Sequence, residues 1–362
     1  MISDIYNPTH IFWARIVSAF LYPVYYIFNL FRRSYDLNKI SFKTILVTEY
    51  HRIGDVILIA SVLQSLKQKF PDSKIILLCH PSAEKLAIKL NIADEIISVK
   101  VPWTLWEWSP LKWVRARAFA KSIGQREIDL TIDFKGDLRN GWFLWHIGGK
   151  ISLGYTATGG SYFYTHPKSF PSKMHQTNRA MNLIAVLGCK PVNDNKKLNY
   201  NENSALVLHP GVTDPRRAWP DKNWIKLIEL FSVNEKVTLV KTPETEPLIQ
   251  QLKQGGLTVE TFEGDLITFF NWLKEQKLLI GPDSMAGHLA AYLDIPVISI
   301  FGSQDPNCTG PVGKWVSYVT PKSLCSHKRD HWRLCKKCME SIKPKIVYSK
   351  VVELISRVEN EQ

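Results

Sequence analysis

From Phe42 onward, short runs of β-branched and aliphatic residues alternate with stretches of helical periodicity. Thr44–Thr48 predicts a buried strand, and Val56–Phe70 predicts a helix that ends before Pro71. The same pattern predicts further strands at Lys74–Cys79, Glu95–Val99, Asp129–Asp133, Ala205–His209, Val237–Lys241, Leu257–Thr261, Leu278–Gly281 and Pro296–Phe301. Strands that alternate with helices indicate an α/β fold whose parallel sheets are covered on both faces.

A polar, Asn- and Lys-rich stretch without apolar periodicity interrupts this alternation, which then restarts. Such a stretch is typical of a linker. We therefore predict an N-terminal helical segment at 1–41, a Rossmann-like domain at 42–190, a linker at 191–204 and a second Rossmann-like domain at 205–362, with the two domains facing each other. Ligands of such sheets bind beyond the carboxyl ends of the strands, so the loops after the strands are the candidate functional segments.

The most apolar stretch of the chain is Ile11–Phe31, which predicts a helix that Pro23 would kink. Its polar positions fall within an arc of about 120° at about 100° per residue. These positions are Arg15, Ser18, Tyr22, Tyr25, Tyr26, Asn29, Arg32 and Arg33. One narrow polar stripe suits a helix that lies in a membrane interface. A helix packed on the protein's own surface and a single transmembrane span are the alternatives.

The net charge of +13 adds a preference for anionic partners, namely nucleic acid, anionic lipid or a phosphorylated substrate. Hydrophobic residues make up 45% of the chain, which excludes a mainly disordered or collagen-like protein. Six cysteines in 362 residues are too few for a secreted disulfide framework, and they indicate reduced thiols in a cytosolic setting.

Basic residues follow a Trp-rich segment in the N-terminal half of the chain. The tryptophans are Trp103, Trp106, Trp108 and Trp113, and the basic residues are Lys112, Arg115, Arg117, Lys121 and Arg126. Basic residues beside aromatic ones fit an anionic glycolipid at a membrane surface. The alternatives are single-stranded nucleic acid bound by stacking, and core tryptophans beside a solvated basic helix face.

The loop after the first strand carries His51, Arg52, Gly54 and Asp55. Gly54 permits a tight turn, and His51 and Arg52 could bind an anion. Asp55 stands at the start of the following helix. It is therefore either the N-cap of that helix or a carboxylate that acts as a general base.

The loop after the first strand of the second half contains Gly211, Arg216 and Arg217. Gly211 and the loop amides can approach a ligand closely, and the two arginines could hold phosphate oxygens by charge-assisted hydrogen bonds. A solvated pair of surface arginines is the alternative. Their place at the carboxyl end of a strand favours the phosphate site.

Two later loops could contact the same ligand. Asp283 and Ser284 stand between a strand and a helix whose free amides form a phosphate site. His288, one turn inside that helix, is either a packed core residue or a ligand contact. The Gly302–Ser303 loop ends the next strand.

No two aspartates are separated by a single residue, so the pair that commonly holds a divalent metal on a nucleotide sugar is absent from the sequence. We therefore expect Arg, Lys and helix amides to neutralise phosphate charge, without a metal or other cofactor. Cys335-x-x-Cys338 is one possible half of a zinc site, together with Cys325, His327 and His331. The His spacing is irregular, and a structural role or a loop staple is the alternative.

In this order, the motifs resemble the heptosyltransferase family, glycosyltransferase family nine, over Lys43 to Leu354. The matching residues are Ile53-Gly54-Asp55-Val56, Phe70-Pro71, Ile132 to Arg139, His175 with Arg179, His209-Pro210-Gly211 with Trp219-Pro220, Phe262-Glu263-Gly264, Asp283-Ser284 with His288, and Phe301-Gly302. The resemblance implies a GT-B architecture. It also implies metal-independent, inverting sugar transfer from a nucleotide-diphosphate donor, ADP-heptose by preference, to the lipopolysaccharide core. Such enzymes work at the cytoplasmic face of the bacterial inner membrane.

The resemblance also assigns site residues. It implies Asp55 as the base, and it implies donor contacts from Gly54, Gly211, Thr213, Arg217, Asp283, Ser284, Met285 and His288. Acceptor contacts are expected from Arg52, Lys135 and Arg139, with an anionic glycolipid as acceptor, membrane contact through residues 11–33 and no nucleic acid. Met285 stands where many members carry Gly, and Arg217 aligns with a phosphate-contacting Lys. A UDP- or GDP-sugar donor and a non-catalytic nucleotide-sugar-binding protein remain the alternatives.

Overall fold

The computed structural model of the protein describes residues 6–29, 36–37, 40–104, 109–192, 197–328 and 331–361, with only the backbone at residue 29. The chain divides into two compact units, residues 1–193 (unit 1) and 194–362 (unit 2). The predicted roles of Arg32, Arg33, Trp106 and Trp108 fall on residues outside the described part.

Unit 1 contains a parallel sheet of six strands in the order β3-β2-β1-β4-β5-β6 among its described residues. Its elements are α1 (Pro8–Asn29), β1 (Thr44–Glu49), α2 (Ile53–Leu58), α3 (Ala60–Lys69), β2 (Lys74–Cys79), α4 (Pro81–Leu90), β3 (Glu95–Ser98), α5 (Pro110–Gly124), β4 (Leu130–Asp133), α6 (Leu138–Ile147), β5 (Ile151–Tyr155), β6 (His166–Lys168) and α7 (Gln176–Ala185). The near-continuous burial of β1, β2, β4 and β5 is typical of a sheet covered on both faces.

Unit 2 repeats this design, with the strand order β12-β11-β10-β7-β8-β9. Its elements are β7 (Leu206–Leu208), α8 (Asp221–Phe231), β8 (Val237–Val240), α9 (Glu246–Gln254), β9 (Glu260–Phe262), α10 (Leu266–Leu273), β10 (Leu278–Pro282), α11 (Met285–Tyr292), β11 (Val297–Ile300), α12 (Pro306–Thr309), β12 (Val316–Val319), α13 (Lys336–Ser341) and α14 (Pro344–Glu359). The predicted α/β class with two parallel sheets is confirmed.

Each predicted strand has a counterpart in the structure, but the sequence pattern missed β5, β6 and β12. The prediction of one helix over Val56–Phe70 is wrong in one respect. The structure has two helices there, α2 and α3, which meet at Ile59. The predicted strand Leu257–Thr261 begins later than expected, since β9 comprises Glu260–Phe262.

Helix α1 packs on unit 1 through one narrow face, with Ile11, Ser18 and Tyr25 spaced seven residues apart. The Ser18 hydroxyl accepts a hydrogen bond from the Gly160 amide at 2.9 Å. The Tyr25 ring stacks on Tyr162 with centroids 5.6 Å apart. Part of the predicted polar stripe is therefore the face that docks on the protein, rather than a face turned to water.

Most of the remaining α1 surface is apolar and exposed, although Arg15 is exposed as well. The large exposed side chains are Phe12, Trp13, Val17, Phe20, Tyr22, Val24, Tyr26, Ile27 and Phe28. By length and composition Pro8–Phe28 could cross a membrane, and only 6% of its most apolar window is buried inside the protein. Phe20 is 80% exposed, and a row of large exposed apolar side chains such as this one marks an interaction or membrane site rather than an ordinary soluble surface.

Of the Trp-rich segment, Trp103 is a core residue, as one of the alternatives predicted. It lies against Trp113 of α5 and Phe143 of α6. Helix α5 exposes Lys112, Arg115, Arg117 and Lys121 on its outer surface.

Candidate active site

The strand order of unit 1 reverses between β1 and β4, which pair in parallel from Ile45 with Leu130 to Thr48 with Asp133. The loops that follow these two strands therefore diverge from one point at the carboxyl edge of the sheet. Crevices at such switch points are the usual ligand sites of open α/β sheets.

Asp55 and Lys135 meet at this edge. The Lys135 ammonium lies 3.1 Å from Asp55 Oδ1, 3.4 Å from Glu49 Oε2 and 2.6 Å from the Gln176 side-chain oxygen, to which it donates. The Lys135 side chain is 7% exposed, whereas that of Asp55 is 14% exposed. The Asp55 carboxylate is thus held in place from one side while part of it stays open to solvent.

Asp55 is not the N-cap of its helix, so that alternative is wrong. Arg52 occupies the N-cap position of α2, and Asp55 is the third helical residue. A carboxylate in the first turn is stabilised by the helix amides. Arg52 itself is exposed, and the His51 ring lies 3.1 Å from Glu49 Oε1.

Lys135 is positioned by a buried polar network. Asp133, the last residue of β4, accepts hydrogen bonds from the Tyr164 hydroxyl at 2.6 Å and from the Lys135 amide at 2.9 Å. Burial raises the pKa of the Asp133 carboxyl above its usual value, against the lowering effect of these hydrogen bonds. Gly136 follows with a φ of +72° and turns the chain toward α6.

The Lys135 ammonium remains charged despite its burial. Burial alone would lower the pKa of this lysine, but the carboxylates of Asp55 and Glu49 outweigh it and raise the pKa. Lys135 therefore holds the Asp55 carboxylate by charge as well as by a hydrogen bond.

Gly136→Ala should destabilise the protein by about 3–4 kcal/mol, since a Cβ there would lie 2.7 Å from backbone atoms of Tyr155 and Ala157. Gly148 is a matched control, because its φ is +76° and a Cβ added there would have no atom within 4 Å. Gly148→Ala should cost only about 1–2 kcal/mol for the left-handed backbone. Urea unfolding of both variants measures the difference, and equal losses would contradict the close packing around Gly136.

Arg139 forms an ion pair with Asp137, two residues earlier in the chain. Its guanidinium donates to both carboxylate oxygens of Asp137, at 2.9 and 2.6 Å, and Asp137 caps α6 by accepting from the Arg139 amide. Arg139 therefore helps to fix the start of α6. Two residues of the Asp55–Lys135 cluster, Glu49 and Gln176, were not found from the sequence.

Unit 2 places its candidate residues at the equivalent switch point, between β7 and β10. Arg217, in a 3₁₀ turn after β7, has its Nη1 atom 3.2 Å from Asp283 Oδ2 and donates to the Asp283 carbonyl at 3.3 Å. Asp283 directly follows β10. The two loops that were predicted to share a ligand are therefore in direct contact.

Arg216 is bound differently from Arg217. It donates two hydrogen bonds, both of 2.9 Å, to the carboxylate of Asp214, whose pKa these bonds lower to about 2. Neither arginine is a fully solvated surface residue, since their side chains are 31% and 15% exposed.

Helix α11 begins at this same edge. Ser284 occupies its N-cap position without a side-chain capping bond, and the Ser284 hydroxyl is buried with no hydrogen-bond partner among the described residues. Met285 is half-buried at the first helical position, and His288 is buried one turn later. The first-turn amides are consequently not capped by the Ser284 side chain, as an anion site requires.

The loop after β11, which the sequence also predicts as a ligand contact, lies beside Arg217 and Asp283. Gly302, Ser303 and Gln304 line a small cavity together with Arg217 and Asp283. A second cavity, of about 240 Å³, is lined by Thr213, Trp219, Glu244 and other residues of the β7 and β8 loops. Gly211 lies beside it, where a Cβ would come within 2.7 Å of the Thr242 hydroxyl.

Comparison with known proteins identifies one family. The model of "Glycosyltransferase family 9 (heptosyltransferase)" matches residues 116–338. Lipopolysaccharide heptosyltransferase 1 of Pseudomonas aeruginosa is 23% identical over 292 residues, which cover 75% of this chain and 81% of that protein.

Solved structures show the same fold. The structure of E. coli heptosyltransferase WaaC with ADP-2-deoxy-2-fluoro heptose matches with a TM-score of 0.68 at 18% identity, over 86% of this chain and 99% of that one. The iron-containing dodecameric glycosyltransferase TibC of enterotoxigenic E. coli matches at 0.50 and 15% identity, over 88% and 77%. The predicted GT-B fold class is confirmed.

Proposed function

This chain belongs to glycosyltransferase family 9 and is a glycosyltransferase, and we propose that it transfers heptose from ADP-heptose to a lipopolysaccharide-core acceptor. The observation that carries the proposal is the partly open Asp55 carboxylate, held by Lys135 at the switch point of unit 1. The heptosyltransferase relatives and the ADP-heptose analogue bound by WaaC support this choice of sugar and nucleotide.

In the proposed reaction, Asp55 accepts the proton of an acceptor hydroxyl as that oxygen attacks the anomeric carbon of the donor. The new carbon–oxygen bond forms as the bond to the diphosphate breaks, so the configuration inverts in one displacement. An aspartate performs such general-base catalysis when the hydroxyl comes within hydrogen-bond reach. Lys135 keeps Asp55 in the ionised form that can accept the proton.

The leaving diphosphate gathers negative charge, which unit 2 is suited to stabilise. Arg217 and the first amides of α11, near Ser284 and Met285, would hold the phosphates in place of a metal ion. Gly54, Gly211, Asp283 and His288 would complete the donor contacts. We assign the nucleoside to the cavity at Thr213, where Glu244 could accept hydrogen bonds from its ribose hydroxyls. Arg52, Lys135 and Arg139 would contact the anionic acceptor.

Ligand-dependent thermal unfolding of the full chain tests the donor. At about 100 times its Kd, a ligand should stabilise the fold by about 2.7 kcal/mol. We expect this shift with ADP and ADP-heptose, unchanged by EDTA, and an inverted product by NMR. A shift only with UDP or GDP compounds would replace heptose by another sugar. Tight donor binding without turnover on any core acceptor would support the non-catalytic alternative.

Membrane attachment is a second part of the proposal, and the exposed apolar face of α1 supports it. Helix α6 lies between α1 and α5, because Tyr25 contacts Trp145 while Trp113 contacts Trp142. The apolar face of α1 and the basic residues of α5 thus lie on two helices of unit 1 that are separated by one helix, α6. Apolar side chains beside lysines and arginines are typical of proteins that lie on anionic membranes.

Helix α1 contacts the rest of unit 1 along most of its length. This contact favours a helix that lies in the membrane interface over one that spans the bilayer. The docked residues Ile11, Ser18 and Tyr25 cover about 21 Å of α1 at about 1.5 Å per residue. The exposed face of α1 and the lipopolysaccharide heptosyltransferase relatives together support our proposal that the protein works at the cytoplasmic face of the bacterial inner membrane.

Trp13→Glu combined with Phe20→Glu should weaken binding to vesicles of phosphatidylglycerol and phosphatidylethanolamine by at least about tenfold, since two large side chains no longer enter the lipid. Neither residue belongs to the docked face, so the fold should persist. Val233→Glu is the matched control, because Val233 is 82% exposed in unit 2. Vesicle co-sedimentation measures the effect. Undiminished binding of the double variant would refute the role of α1.

A further inference from the structure

Three cysteines and a histidine converge between β12 and α13. The four side chains are those of Cys325, His327, Cys335 and Cys338, and their ligand atoms all lie within 4.8 Å of one another. Cys335 and Cys338 are buried, whereas His327 is exposed. Cys335 is the N-cap residue of α13, which places Cys338 one turn later on the same helix.

The distances around the imidazole have the dimensions of a metal site. His327 Nδ1 lies 3.7 Å from Cys325 Sγ, 3.5 Å from Cys335 Sγ and 3.6 Å from Cys338 Sγ. A tetrahedral ion with metal–sulfur bonds of about 2.3 Å and metal–nitrogen bonds of about 2.05 Å separates sulfur from nitrogen by about 3.6 Å. All three separations fall within about 0.1 Å of that value.

We propose that these four side chains bind one tetrahedral, thiophilic transition-metal ion of the zinc or iron class. Three thiolates and one imidazole form a closed ligand set, which is typical of a structural site rather than a catalytic one. A disulfide would use two of the cysteines and leave the third beside it. None of the three forms a disulfide among the described residues.

The proposed metal site would hold the chain around Cys335 and Cys338 in place, and this part of the chain borders the Arg217–Asp283 cavity. Leu334 and Met339, which flank Cys335 and Cys338, line this cavity. The Ser303 hydroxyl donates to the Arg333 carbonyl at 2.8 Å, which ties the segment to the loop after β11. The metal would therefore hold one wall of the donor half-site without taking part in the reaction.

Elemental analysis of the full-length protein, purified without added metal, tests the site directly. We expect one zinc or iron ion per chain, and the element found identifies the occupant. Cys335→Ser with Cys338→Ser should abolish binding. Cys308→Ser is the matched control, because Cys308 is buried in α12 and lies outside the cluster. A well-folded wild-type protein without stoichiometric metal would overturn the proposal, and so would full metal content in the double variant.

X-ray absorption of the metal-loaded wild type keeps the test independent of whether the variants fold. Three sulfur ligands and one nitrogen ligand at the distances above would support the site. A shell dominated by oxygen would overturn it, because such a metal would be bound elsewhere. Neither measurement depends on the sugar that the enzyme transfers, so the metal site and the proposed function can fail separately.

Discussion

We expect Asp55→Asn to lower kcat for sugar transfer by about 10³-fold while the Kd for the nucleotide-sugar donor changes by less than about twofold. Asparagine keeps the size of the side chain and can still accept a hydrogen bond from Lys135, but it cannot take the proton of the acceptor hydroxyl. Steady-state kinetics with a lipopolysaccharide-core acceptor, and calorimetry with the donor, measure the two quantities separately.

Asp72→Asn is the control for this experiment, since Asp72 is an exposed aspartate in the turn before β2. It should leave kcat unchanged. If Asp55→Asn weakened donor binding and kcat by the same factor, Asp55 would be a binding residue and the proposed base would be wrong. A kcat near the wild-type value would exclude Asp55 from the reaction altogether.

The pH profile gives a second view of the same cluster. The attraction that raises the pKa of Lys135 also favours the ionised form of Asp55, because the coupling between two charges is reciprocal. Lys135→Met should therefore move the acid limb of the kcat/KM profile to higher pH, since protonation of the base becomes easier. An unshifted limb would show that Lys135 does not act through Asp55.

Much of this cluster follows from the sequence, but its assembly does not. The hydrophobic runs predict that Asp55 and Lys135 lie in loops after buried strands. Only the strand order places β1 beside β4, and long-range pairing of this kind leaves no trace in local periodicity. Gln176 comes from α7, more than a hundred residues after Asp55, so no local pattern connects the two.

Glu49 shows a different limit of the sequence analysis. The predicted strand ended at Thr48, whereas β1 continues through Glu49, whose side chain is fully buried against Lys135 and His51. A charged residue at the end of an apolar run is ordinarily assigned to the loop, because a buried carboxylate is costly without a partner. His51 is a local partner, but the ammonium that faces Glu49 belongs to Lys135 in the loop after β4, so the sequence alone could not justify the burial.

Arg217→Met should reduce kcat/KM by about 10²–10³-fold and weaken donor binding, since the variant loses the cation that faces the leaving diphosphate. Arg217→Lys should recover a substantial part of the loss, because a lysine at this position keeps the charge but not the planar donor geometry. Arg216→Met is the neighbouring comparison, since Arg216 lines the same cavity as Arg217. The Arg216 guanidinium is held by Asp214, and we expect a reduction of less than about tenfold.

Loss of Arg217 also leaves Asp283 without the cation that now lies 3.2 Å away, and the Asp283 side chain is only 9% exposed. An unpaired carboxylate that is largely buried destabilises a fold, so kinetics must be measured well below the midpoint of thermal unfolding. A role in stability alone predicts reduced Tm with kcat/KM within about threefold of wild type for Arg217→Met, and equal behaviour of the Lys and Met variants in catalysis. A role on the diphosphate predicts instead that the two variants separate in catalysis, because only the lysine supplies charge to the transition state.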